Sequence, residues 1–177
     1  MLDLLPRGLR SVVLRLLTAL GMFAPSMRLR VRANRWKGVQ MGTNPWLGVM
    51  VFMDIHHSHP DRGASLVMGD GVAIGNNVSI YTHDSLYNLV TEGREPVNFG
   101  RVVIGDHVNV SPTAFLFDCT IGSYSIIAPG AVVAGGEYPP YSLIAGNPAK
   151  VVKDIRPRIE RSRLAADQAD RAGRAEH

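Results

Sequence analysis

From Met41 to Ala134 a bulky aliphatic residue followed by a small or turn-forming one returns every six positions, and few architectures accommodate that period. The bulky heads fall at Met41, Leu47 and Met53, then after a break at Met68, Ile74 and Ile80. After a second break they fall at Ile104, Val110 and Leu116, and finally at Ile121, Ile127 and Val133. Three short strands joined by tight turns make one triangular coil, and stacked coils pair their backbones about 4.8 Å apart. The head points into the prism, and Val, Ser or Ala four places on fits the cramped interior. Gly, Asn and Asp beside the head suit the left-handed dihedrals expected of the corners. No single coil buries a core alone, so stability comes from stacking and the ends need caps. The N-terminal helix and the segment after Val133 are candidates for that role. Leu116-Phe117-Asp118-Cys119-Thr120 supplies five residues where six are expected, so a coil tightens there. Cys119 then falls near an inward position, with no neighbouring base to activate its thiol, and reads as structural.

The chain fits one domain: 177 residues, 46% apolar and 19% charged. Three parts are expected: a helical segment over 1–36, the coil over 37–154 with loops at 55–66 and 84–100, and a charged tail over 155–177. Over Leu2 to Phe23 the positions Leu5, Leu9, Val12, Val13, Leu16, Leu17 and Leu20 recur at helical spacing and predict an amphipathic helix. Arg15 interrupts the run too early for a bilayer span of about 20 residues. The helix therefore either packs across an end of the coil or attaches at a membrane interface, as its arginines and apolar face permit. A net charge of +4, with arginines gathered near both ends, argues against nucleic acid. A single cysteine and no secretory cleavage pattern point to a reducing cytoplasm, with peripheral contact at the inner membrane face if the helix attaches there. The tail, rich in Arg, Ala and Asp, predicts a frayed helix or disorder.

Three further pieces carry a resemblance: Ile80-Tyr81-Thr82-His83-Asp84, the loop Glu92-Gly93-Arg94-Glu95-Pro96-Val97, and the run from Ile127-Ala128-Pro129-Gly130 through Asn147-Pro148-Ala149-Lys150 to Lys153. In this order, over roughly Gly38 to Ile155, the sequence resembles the hexapeptide-repeat acyltransferases, in particular the maltose, galactoside and polysaccharide O-acetyltransferase branch. The resemblance implies an all-β fold, a left-handed parallel β-helix, here with an N-terminal amphipathic helix and a short C-terminal helical or disordered tail. It also implies a homotrimer with active sites between subunits, and acetyl-CoA as the acyl donor.

Moving an acetyl group from a thioester to an alcohol needs a base, and histidine suits neutral pH. His83 lies where the repeat breaks into the loop beginning at Asp84, a scaffold edge of the kind on which sites are built. It also matches the family's catalytic histidine. The expected reaction is direct transfer to a sugar-like hydroxyl with no metal, backbone N–H groups stabilising the oxyanion. Asp54, at the break one coil earlier, is the candidate to orient the ring from its other nitrogen. By resemblance, Ser111, Ala128 and Pro129 would line the pantetheine arm, and Asn147, Lys150 and Lys153 would meet the coenzyme's polar end. Tyr87, Asn88, Arg94 and Glu95 would shape the acceptor pocket. Two departures stand out: Asn109 where many relatives carry tryptophan, and Ala134-Gly135 where they carry a Thr-Lys pair. The first touches acceptor fit and the second removes a phosphate contact. Three other readings stay open. One is an amine as the receiving group. Another is a zinc hydratase of the carbonic anhydrase type on the same coil, which needs a closely spaced histidine pair, whereas His83 and His107 are 24 residues apart; the cluster His56-His57-Ser58-His59 separately invites a zinc reading. The last is a non-catalytic binding module.

Overall fold

The structure, a computed structural model, describes residues 5–55 and 63–175. Two helices open it: α1, Arg7–Phe23, and α2, Met27–Lys37. The sequence reading expected one helix here. Over Met27 to Ala33 apolar residues alternate with arginines, a two-residue period that conceals the second. α2 ends at Gly38, whose φ of 111° closes the helix in a left-handed cap. Arg30 lies buried on its inner side. The guanidinium donates from Nη1 to the carbonyl of Ala24 at 2.5 Å and from Nη2 to that of Leu47 at 2.9 Å. One side chain thus clips the inter-helix turn to the first coil. Buried Asn34 packs against Gly21, where a Cβ would come within 2.7 Å of its amide nitrogen, so the two helices touch at backbone distance.

The prism follows. Its first coil comprises strands Gln40–Met41, Trp46–Leu47 and Phe52–Asp54, and its second Leu66–Met68, Ala73–Ile74 and Ser79–Tyr81. The third comprises Val102–Ile104, Asn109–Val110 and Phe115–Phe117, and the fourth Thr120–Ile121, Ile126–Ile127 and Val132–Ala134. A fifth begins with Glu137–Tyr138 and Ser142–Gly146. Strands pair in parallel from coil to coil, so Met53, Ile80, Leu116 and Val133 form one inward column. Every predicted head from Leu47 onward is at most 2% exposed. The cramped positions Val51, Val72, Val78, Val108, Ala114, Ser125 and Ala131 are at most 1% exposed. The six-residue period thus became the core it implied. The parallel β-helix ends when Ala149–Asp154 folds back antiparallel along Ser142–Gly146.

One detail is corrected. The glycine after each head does not take the left-handed conformation; the residue two places later does, at Asn77 (φ 58°), His107 (φ 54°), Thr113 (φ 64°) and Tyr124 (φ 60°) among others. The glycine is required by crowding: a Cβ on Gly105 would stand 2.6 Å from the backbone nitrogen of Ser123 in the next coil. Asn76, Asp106 and Ser123, next to such glycines, accept a backbone N–H of the coil before at 2.8–3.0 Å across Val49, Asp70 and Asp106. At the shortened turn Asp118 takes a φ of 43° and Cys119 enters the core, 2% exposed.

His107, Tyr124 and Tyr141 stack along one corner with centroids 5.0 and 5.2 Å apart. The final helix runs Arg156–Ala175 and lays Arg163 over Tyr124 and Arg156 over Tyr141 at 5.0 and 4.9 Å. The tail is thus a helix, its start anchored by buried Ile155 and its first turns by cation–π contacts.

Candidate active site

The chain leaves the second coil at Tyr81. Thr82, fully buried, donates its N–H and hydroxyl to the Asp54 carbonyl at 3.1 and 3.2 Å, and its own carbonyl accepts from Gly100 at 3.0 Å. The exit is therefore fastened on both sides. His83–Asp84 then pairs antiparallel with Asn98–Phe99, which closes the base of the loop and sets His83 opposite Phe99. Parallel register places Asp54 beside Tyr81, two residues before His83. The outcome is an ion-pair approach of 3.7 Å between His83 Nε2 and Asp54 Oδ2, with the two side chains 33% and 35% exposed. Two residues 29 positions apart meet because each stands where its coil breaks.

The geometry differs from expectation in one respect. The buried ring nitrogen is Nδ1, and the one facing Asp54 is Nε2. The carboxylate therefore stands beside the nitrogen that a substrate can approach, not behind the ring.

Lys37, which the sequence reading did not single out, completes the surroundings. From the end of α2 its Nζ donates to the Met53 carbonyl at 2.7 Å, next to Asp54, and the residue is 5% exposed. Burial pulls its pKa from 10.5 down to about 8, and the nearby Asp54 charge opposes that shift. Only its position after a helical run could have hinted at this role.

The proposed acceptor residues lie on the loop. A short helix, Leu86–Val90, carries Tyr87 and Asn88. Asn88 donates to the Glu95 carbonyl at 2.6 Å, which folds the loop on itself. Arg94 lies 3.4 Å from Glu92 in solvent, and Tyr87 is 67% exposed.

The proposed cofactor positions form a line. Ser111 N–H donates to Ile127 O, and Ala128 N–H to Ile144 O, so Ser111, Ala128 and Ala145 occupy equivalent places in successive coils. Lys150 lies opposite Ala145 on the returning strand, and Lys153 opposite Leu143. Asn147 stands in the exposed turn between those strands, and Pro129 is exposed beside Ala128. Lys153 also lines a groove of about 490 Å³ with Arg158, Arg161, Ser162 and Ala165. The two arginines come from the tail, whose composition gave no sign of a site.

Cys119 is no nucleophile: burial, with the Asp118 charge adding, pushes its thiol up to about 12. His56, His57 and His59 lie outside the described residues. Among the described residues no group of three or more His, Cys, Asp or Glu is placed to hold a metal ion. His107 instead sits at an outward corner, stacked on Tyr124.

Comparison with known proteins agrees with this architecture. No protein-family model matches the chain. A provisionally named acetyltransferase of Staphylococcus aureus (strain MRSA252) is 41% identical over 78 residues, 42% of this chain and 36% of that protein. The curated relatives are matched over about a third of their own length or less. Among solved structures, a galactoside acetyltransferase in complex with coenzyme A superimposes with a TM-score of 0.59 at 22% identity, covering 88% of this chain and 86% of that one. A hexapeptide-repeat-containing acetyltransferase from Vibrio cholerae O1 biovar eltor, complexed with acetyl coenzyme A, gives 0.55 at 22% identity over 84% and 88%. The chain has the fold of the hexapeptide-repeat acetyltransferases.

Proposed function

We propose that this protein transfers an acyl group, acetyl foremost, from coenzyme A to a hydroxyl of a sugar-like acceptor. The observation that carries the reading is the His83–Asp54 pair at the rim where both coils open. Nε2 of His83 accepts the acceptor's hydroxyl proton as its oxygen attacks the thioester carbonyl. Backbone N–H groups hold the oxyanion, the C–S bond breaks, and the coenzyme thiolate leaves with the proton from the imidazolium. No covalent acyl-enzyme is needed. Asp54, adjacent to Nε2, favours the imidazolium formed in that step, and Lys37, bonded to the preceding carbonyl, steadies the backbone that presents Asp54.

The column Ser111, Ala128 and Ala145 offers a straight edge for the pantetheine arm, leading to Lys150, Lys153 and Asn147. Arg158 and Arg161 supply cations beside Lys153, where the sequence lacks the Thr-Lys pair at Ala134-Gly135. Solved structures of the same fold that hold coenzyme A or acetyl coenzyme A support that coenzyme as the donor. A left-handed coil and a homotrimer belong to the same reading. Leu86, Tyr87, Leu89 and Val90, 67–76% exposed on the loop helix, are suited to meet a neighbouring subunit and close the groove over His83.

The test is release of free thiol from acetyl-CoA across a panel of saccharide and amino-sugar acceptors. Release that depends on a saccharide hydroxyl is expected. Release only with amines would reassign the acceptor, and none with any acceptor would reject the transferase reading.

A further inference from the structure

α1 is apolar on two sides. Leu17 and Gly21 are buried where it packs against α2 and the first coil. Along the opposite stripe Leu9, Val12, Leu16, Leu20 and Phe23 are 51%, 54%, 60%, 39% and 60% exposed. Such a stripe on a surface helix marks a place where something docks.

Charge indicates what docks. Between residues 4 and 53 the chain carries eight Lys and Arg and no Asp or Glu, so the rest holds eleven cations against fifteen acids. Arg15 is exposed beside Leu16, Arg28 and Arg32 are exposed on α2, and Trp36 is 56% exposed near its end. A groove of about 590 Å³ between α1 and Phe52 repeats the combination, with Leu14, Met22 and Phe23 in its lining alongside Arg10 and Arg15. A second copy of this surface would bring like charges together. A neutral apolar partner would offer nothing to the charges of the exposed Arg15, Arg28 and Arg32. An anionic lipid surface answers both, with acyl chains for the stripe, phosphates for the guanidinium groups and a headgroup layer for the indole.

We propose that the α1–α2 hairpin seats this protein on an anionic bilayer surface, with the Leu9–Phe23 stripe in the acyl boundary and the exposed Arg15, Arg28 and Arg32 among the phosphates. The hairpin lies on the surface and does not cross it: among the described residues no helix is long and apolar enough to span a membrane.

The test is co-sedimentation of the full chain with vesicles of phosphatidylcholine alone and of phosphatidylcholine carrying one third phosphatidylglycerol. At low salt the anionic vesicles should bind at least about tenfold more tightly, and added salt should weaken that preference. Val12→Glu with Leu16→Glu should reduce binding at least about tenfold through lost burial. Arg28→Glu with Arg32→Glu should abolish the anionic preference. All four positions are exposed, so unchanged circular dichroism melts are expected, and acetyl-CoA thiol release with a soluble acceptor should persist. Equal binding to both vesicles overturns the proposal, as does binding indifferent to both variants. So does a Val12→Glu, Leu16→Glu chain that changes oligomeric state but still pellets normally, since the stripe would then belong to a second copy. None of the vesicle-binding readouts depends on the transferase assignment.

Discussion

The third and fourth coils and the first two are built on one register, yet they differ in what interrupts them. From Val102 to Ala134 the strands run on with only the five-residue turn at Asp118. Their interior is aliphatic, closed by Ser125 and Cys119. The first and second coils break after Asp54 and after Tyr81, and the ionisable pair stands at those two breaks, one coil above the other. On the proposed reading, uninterrupted stacking provides rigidity and departure from it provides the chemistry, so stability and activity should be separable by position.

The sharpest separation is His83→Ala. It should lower kcat/KM by about 10² to 10⁴ while leaving the melting temperature nearly unchanged, because the ring is one-third exposed and the base of the loop is held by backbone pairing. An equal loss of stability would make His83 part of the scaffold. Leu116→Ala should do the converse, costing about 2–5 kcal/mol in urea unfolding through the cavity it leaves, since the side chain is wholly buried in the central column. Specific activity of the folded fraction should hold. Retained stability would show that the regular coils do not carry the fold.

Lys37, which ties α2 to the first coil, gives the smallest effect. Its pKa lies at about 8 in the fold against 10.5 when free. Between those values the unfolded chain holds the proton that the folded one has released, so this residue makes stability rise with pH across that window; below it, the cost of burying the charge is fully present. Lys37→Met should flatten that rise in unfolding curves measured from about pH 8 to about pH 10. An unchanged slope would show that Lys37 is not buried as a titrating group.

Local periodicity made the interior legible, since head and cramped positions depend only on residues six and four apart, from Leu47 to Val133. The meeting of His83 and Asp54 was legible because a break in a regular pattern is itself visible. Features set by distant packing were not. α2 was hidden by its alternating arginines, of which Arg30 finds the Leu47 carbonyl of the first coil only after folding. Lys37 owes its role to a carbonyl 16 residues away. Arg156 and Arg163 owe their places to tyrosines at a corner of earlier coils. The glycine after each head was read for conformational freedom, when the cause was the closeness of the next coil, a distance that one coil's sequence does not contain.

The strand Ala149–Asp154, turned against the direction of its neighbours, bears on self-assembly. A column of parallel rungs offers its last rung as a template on which a second molecule could continue, which is how filaments grow. Reversing the final strand spoils that template at one end, and the helical hairpin covers the other, so the stack has a fixed length and stops with its own chain.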